Sequence, residues 1–209
     1  LKGRECYGGL DLSATTDLAA FVLVFPNDDD PPSYDVLPYF WLPEARATAE
    51  RRDVVDYRAW ARVGYLKLMP GEVLDQREIK RDIQQLADMY LIKEIAFDRW
   101  NAFQLAVELE EEGAKMVSTG MGYASMSMPT KTLEELVLAK RMHHGGHPVL
   151  AWNIANVVLE QDAAGNIKPS KARSKERIDG AVALILAISR AILREPKPTV
   201  YRERGLLVI

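Results

Sequence analysis

Apolar runs of strand length, separated by short polar turns, set the frame of this chain. Residues 7–12 predict a strand with one acid, Asp11, near its end; residues 18–26, LAAFVLVFP, predict a second, and residues 34–42, YDVLPYFWL, a third. Between the last two lies NDDDPPS, residues 27–33, which is turn chemistry, so Asp28 to Asp30 are read as a solvated tip. Three strands with short connections predict an antiparallel meander.

Helical spacing then takes over. Residues 44–62 predict one helix with a polar face, stopped by Gly64. LKLMPG leads to a second helix over 76–90, and LIKEIAFD, residues 91–98, predicts a buried strand ending in Asp98. A helix over 101–112, a strand over 114–119 and a helix over 130–142 follow. Strand, helix, strand in this order implies parallel neighbours joined by a right-handed crossover. NVVLEQDAAGNIKPS, residues 156–170, predicts a hairpin turning at DAAGN. A last helix over 174–194 has no charge from Gly180 to Ser189 and is expected to be buried on most sides, and residues 195–209 read as an extended tail. The fold class is α/β, with a central mixed sheet flanked by helices.

Composition narrows the picture without deciding it. With 209 residues, 48% apolar and 27% charged, residues 1–209 are expected to form a single domain. No apolar run reaches the roughly 20 residues of a membrane span. A lone cysteine, Cys6, leaves no internal disulfide and fits a reducing compartment. The chain opens without methionine and is expected to be cut from a longer one, with no secretion signal. A net charge of −3 does not announce a nucleic-acid partner, yet a local basic patch acts independently of the total. One such patch is KPSKARSKER, which carries Lys168, Lys171, Arg173, Lys175 and Arg177.

Three acids stand in apolar settings: Asp11 in the first strand, Asp98 at the end of another, and Asp179 near the start of the last helix. A buried carboxylate costs several kcal/mol unless it is paired or binds a metal. Adjacent parallel strands would bring Asp11 and Asp98 to one edge, and the last helix could add Asp179. Clustered carboxylates need a cation, and an all-oxygen set selects Mg²⁺ or Mn²⁺. Two such ions bridged by a carboxylate form a phosphodiester-cleaving arrangement. The basic run precedes Asp179 and is read as phosphate-binding, with Lys175 one helical turn from Asp179. Arg99 either contacts phosphate or belongs to a turn in which Asn101 caps the next helix. His143, His144 and His147 are read as a solvated loop rather than a zinc site, and Ser13, Thr15 and Thr16 as turn residues rather than nucleophiles.

The order of elements matches the ribonuclease H-like plan. The stretches GGLDLSATTDLAAFVLVFP, YFWLPE, EIAFDRWNA and KERIDGAVALILAISRA together resemble the nuclease domain of tailed-phage terminase large subunits, over nearly the whole chain. The resemblance implies an endonuclease that cuts concatemeric viral DNA during packaging, with Asp11, Asp98 and Asp179 as catalytic metal ligands. Asp17 matches an additional acid that some members use near the second ion; it reads equally as a hydrogen-bonded strand start. The hairpin at 156–170 corresponds to one the family adds beside its active site. The resemblance also implies an ATPase motor on the same full-length chain, double-stranded DNA, portal protein and small terminase subunit as partners, no membrane, and the cytoplasm of the infected bacterial host. No GxxxxGK[ST] phosphate loop occurs in these residues, as expected if the motor lies outside them. Two other readings remain: an actin- or sugar-kinase-like ATP-binding domain, suggested by GLDLSATTD, and a non-catalytic module that docks DNA or the portal.

Overall fold

Residues 1–12, 16–48 and 55–194 are described by the structure, a computed structural model. Strands β1 (Glu5–Leu12), β2 (Ala19–Pro26) and β3 (Tyr34–Pro43) form the antiparallel meander, with Leu10 opposite Phe21 and Phe21 opposite Tyr39. β5 (Leu91–Asp98) lies parallel to β1, pairing Gly9 with Ala96, and β6 (Met116–Thr119) lies parallel to β5. Two short strands, β4 (Lys67–Met69) and β7 (Met142–His143), extend the outer edge of β3, both parallel to it. The spatial order β4-β3-β2-β1-β5-β6 places β1 and β5 near the centre.

Helices cover both faces of this sheet, which is why β2 reads as a continuous apolar run rather than an alternating one. Ala20, Val22 and Val24 share one core with α5 (Tyr123–Leu138), α6 (Pro148–Ala155) and α7 (Asp179–Ala191). Phe21, Leu23 and Phe25 share the other with α3 (Gln76–Met89) and α4 (Arg99–Glu111). Every residue of α7 from Asp179 to Ile188 is buried. The helix lies so close to β1 that a Cβ on Gly9 would stand 1.9 Å from the Ala183 carbonyl oxygen and 2.5 Å from the Ala187 nitrogen. Only glycine admits that approach.

Several elements depart from the sequence reading, most of them through capping. The single helix expected over 44–62 is two: α1 (Glu44–Thr48) and α2 (Tyr57–Val63). Asp56 starts the second by accepting a hydrogen bond from the Ala59 amide at 3.0 Å, a local bond that competes with helix continuation. α4 begins two residues early because Asp98, not Asn101, is its cap; Asn101 lies inside the helix. α5 begins at Tyr123 rather than 130 and runs through Pro129, which is buried with Met126 and Leu133. Tertiary packing there outweighs the amide bond that proline cannot make. α7 begins at Asp179, so Lys175 is not on its face. The histidine run is not a free loop: Met142 and His143 form β7, and His147 caps α6, an element that the sequence reading lacked. Ser13, Thr15 and the tail 195–209 lie outside the described residues. β8 (Leu159–Gln161) and β9 (Ile167–Pro169) form a separate two-stranded hairpin.

Candidate active site

Strand parity places Asp11. Side chains alternate along β1, and Asp11 shares its face with Tyr7 and Gly9, the face that α7 covers. Asp179 is the first residue of α7, so the two carboxylates meet where the helix reaches the end of the strand. Both are buried, Asp11 at 1% and Asp179 at 4% exposure. Leu10 pairs with Phe97 in the parallel ladder, so Asp11 and Asp98 come next at the carboxyl ends of neighbouring strands. Asp98 is partly buried, and its Oδ1 accepts a hydrogen bond from the Trp100 amide at 3.2 Å.

The start of α7 is held from a second helix. The Gly180 amide donates to Oδ1 of Asn153 at 2.8 Å, and Asn153 in turn donates to the Val149 carbonyl at 2.9 Å. Asn153 is fully buried on α6. A Cβ on Gly180 would come within 2.6 Å of the Phe40 ring, so glycine lets the helix end seat here.

Lys171 closes the acid pair. Its ammonium lies 2.7 Å from Asp11 Oδ2 and 2.8 Å from Asp179 Oδ1. The second contact is a hydrogen bond. Asp11 Oδ2 is buried in direct ion-pair contact with this ammonium. Burial pushes the Asp11 carboxyl up to about 7; Lys171 opposes this, while Asp179 and Asp98 add to it. Burial works to lower the Lys171 pKa, but the charges of Asp11 and Asp179 outweigh it and raise the value.

The other basic residues divide. Arg177 pairs with Asp17, whose Oδ1 also accepts from the Leu18 amide at 2.9 Å. Burial raises the Asp17 pKa, the Leu18 amide and Arg177 lower it, and Asp179 adds to the rise. Asp17 thus stands within the electrostatic reach of Asp179, but as the partner of an arginine. Lys168 pairs with Glu160 across the hairpin at 2.9 Å and lies over the Tyr123 ring. Arg173 and Lys175 are exposed on the loop between the hairpin and α7, and Arg99 and Trp100 are exposed beside Asp98.

The sequence therefore pointed to the acids. It did not reveal that Lys171 joins two of them or that Asn153 seats α7, because neither residue is unusual in its local setting.

In this conformation no group of three or more His, Cys, Asp or Glu side chains among the described residues is arranged to hold a metal ion. An ammonium stands between Asp11 and Asp179, and one oxygen of Asp98 is engaged in a helix cap. The donor chemistry nonetheless fits a hard divalent ion. All three side chains offer carboxylate oxygens, two are buried side by side, and a cation already sits between them.

A three-stranded meander continued by parallel strands, with acids at the carboxyl ends of the central pair and on the covering helix, defines the ribonuclease H-like class of nuclease folds. Within that class the chain belongs to the family described as terminase large subunit, endonuclease domain, which matches residues 1–195. It is 38% identical to the terminase large subunit of Enterobacteria phage HK97, over 90% of this chain and 38% of that protein. It is 32% identical to protein YmfN of Escherichia coli K12, over 95% of this chain and 46% of that one. The crystal structure of the HK97 large terminase superposes with a TM-score of 0.77 at 36% identity, covering 90% of this chain and 39% of that one. The large terminase nuclease of thermophilic phage G20c with bound magnesium shares the fold, with a TM-score of 0.57 at 15% identity over 90% of this chain and 84% of that one. The present chain spans less than half the length of these two curated relatives.

Proposed function

We propose that this domain is a divalent-metal-dependent DNA endonuclease that cuts concatemeric viral DNA during genome packaging, with little sequence preference. The observation that carries the reading is the burial of Asp11 beside Asp179, with Asp98 at the end of the neighbouring parallel strand. Two buried carboxylates side by side are unfavourable as structure alone, and a cation-binding role accounts for both. Asp11, Asp98 and Asp179 would hold two Mg²⁺ or Mn²⁺ ions, with Asp17 a further candidate if Arg177 releases it. When bound, such ions polarise a phosphodiester and make a bound water a nucleophile near neutral pH.

This chain's own residues would do the rest. The apolar strand and α7 fix the acids rigidly and keep bulk water from their inner side. Arg173, Lys175 and Arg99, all exposed near the acids in sequence, would hold phosphates on either side of the scissile bond. Lys168, Lys171 and Arg177 would join them only on leaving their acidic partners. The hairpin β8–β9, which the basic loop follows, would guide the duplex. The full-length chain would add an ATPase motor, and portal protein and small terminase subunit would deliver DNA, all in the cytoplasm of the infected host.

The test is cleavage of supercoiled plasmid with Mn²⁺ or Mg²⁺ by this chain and by Asp179→Ala. Nicking and linearisation by the parent, falling on the order of a hundredfold or more in the variant, is the expected result. Undiminished cleavage by a folded Asp179→Ala overturns the assignment.

A further inference from the structure

We propose that Lys171 is a built-in counter-ion: it holds the Asp11–Asp179 pair together in the metal-free protein and competes with the divalent ion for the same two oxygens, so that the site loads only as the ammonium leaves. The inference rests on the metal-dependent reading above and concerns how that site is regulated.

Geometry comes first. One nitrogen lies within 2.8 Å of an oxygen from each buried acid, the place a bridging cation would take. The ammonium is also an incomplete occupant. It carries one positive charge against two carboxylates, with Asp98 adding a third acid nearby. A divalent ion neutralises both carboxylates and needs no hydrogen-bond direction, so exchange is favourable once ligation begins.

The route out is open and the tether is firm. The Lys171 side chain as a whole is 44% exposed although its ammonium is enclosed by the two acids, so the stem has room to swing outward. Its backbone sits in a braced turn: the Ser170 amide donates to the Val158 carbonyl at 2.9 Å, the Ser174 hydroxyl to the Ser170 carbonyl at 2.8 Å, and the Val158 amide to the Ser174 hydroxyl at 3.1 Å. Lys171 is therefore presented from the base of the β8–β9 hairpin. Displacement of that hairpin would draw the ammonium with it.

The experiment is calorimetric titration of this chain with Mn²⁺, without DNA, alongside Lys171→Met. The variant has no ammonium to displace and is expected to bind Mn²⁺ at least tenfold more tightly. Its melting temperature should fall below that of the parent without metal and rise more when Mn²⁺ is added; folding only in the presence of Mn²⁺ supports the proposal equally. Equal or weaker Mn²⁺ binding by the variant overturns it. A second measurement uses the parent protein alone and decides the matter if the variant does not fold. The Lys171 side-chain ammonium should give a solvent-protected nitrogen resonance that is lost as Mg²⁺ is added. A resonance unchanged by saturating Mg²⁺ overturns the proposal. If neither protein binds Mn²⁺ or Mg²⁺, the metal-dependent reading itself falls, and this inference with it.

Discussion

Individual titratable residues in this protein are governed by what covers them. Asp11 sits in an apolar strand and is held up to about 7 chiefly by burial, against the pull of Lys171. His147 shows the same physics with the opposite sign. Its ring packs on Phe40 and Tyr65, with centroids 5.6 and 4.9 Å away, and its Nδ1 accepts from the Leu150 amide to cap α6. Burial, helped by His144, lowers its pKa from 6.5 to about 4. The folded protein resists protonation there while the unfolded chain does not. The stability that neutral His147 contributes is complete above about pH 6.5 and is lost as the pH falls towards about 4. Urea midpoints measured across this window should drop for the parent and drop less for His147→Asn, which keeps a capping side chain without a titrating ring. Equal slopes would remove His147 as the cause. At this scale the sequence was legible where a residue conflicted with its local setting. Asp11, Asp98 and Asp179 each broke an apolar pattern. Lys171 in a basic run, Asn153 in a helix and His147 beside two glycines broke none, and their roles come from groups distant along the chain.

Elements were legible where periodicity was long and undisturbed. The meander, β5 and α3 lie where the apolar spacing put them, because strands covered on both faces and an amphipathic helix carry their signal in every residue. Boundaries failed where one polar side chain could end or begin a helix, as at Asp56 and Asp98, and where packing carried a helix through Pro129. The contact between α7 and β1 is the tightest test of the fold. Gly9→Ala would drive a methyl group against the backbone of α7, where neither neighbour is a flexible side chain. A destabilisation of about 3 kcal/mol or more is expected in urea denaturation, at or beyond the upper end of ordinary overpacking. Because α7 carries Asp179, the folded fraction of Gly9→Ala should also cleave poorly. A loss below about 1 kcal/mol would show that α7 does not press on Gly9.

At the scale of the whole molecule, net charge and local charge differ. A chain of net charge −3 places two exposed cations, Arg173 and Lys175, between the hairpin and the acid-bearing helix, with Lys168, Lys171 and Arg177 beside them in ion pairs. Replacing Arg173 and Lys175 together by alanine should weaken DNA binding and lower the slope of log affinity against log salt by about 2, one counterion per lost phosphate contact. An unaltered slope would assign those residues to bare surface. The inventory of strands, the apolar setting of the three acids and the basic run were present in the sequence because each depends on neighbours one to four residues apart. The pairing of β1 with β5, the seating of α7 against Gly9 and the placing of the Lys171 ammonium between Asp11 and Asp179 were decided only in three dimensions. They join residues as far apart along the chain as Gly9 and Ala187, and the energies that select them are those of packing and of charges meeting out of water, which no local pattern records.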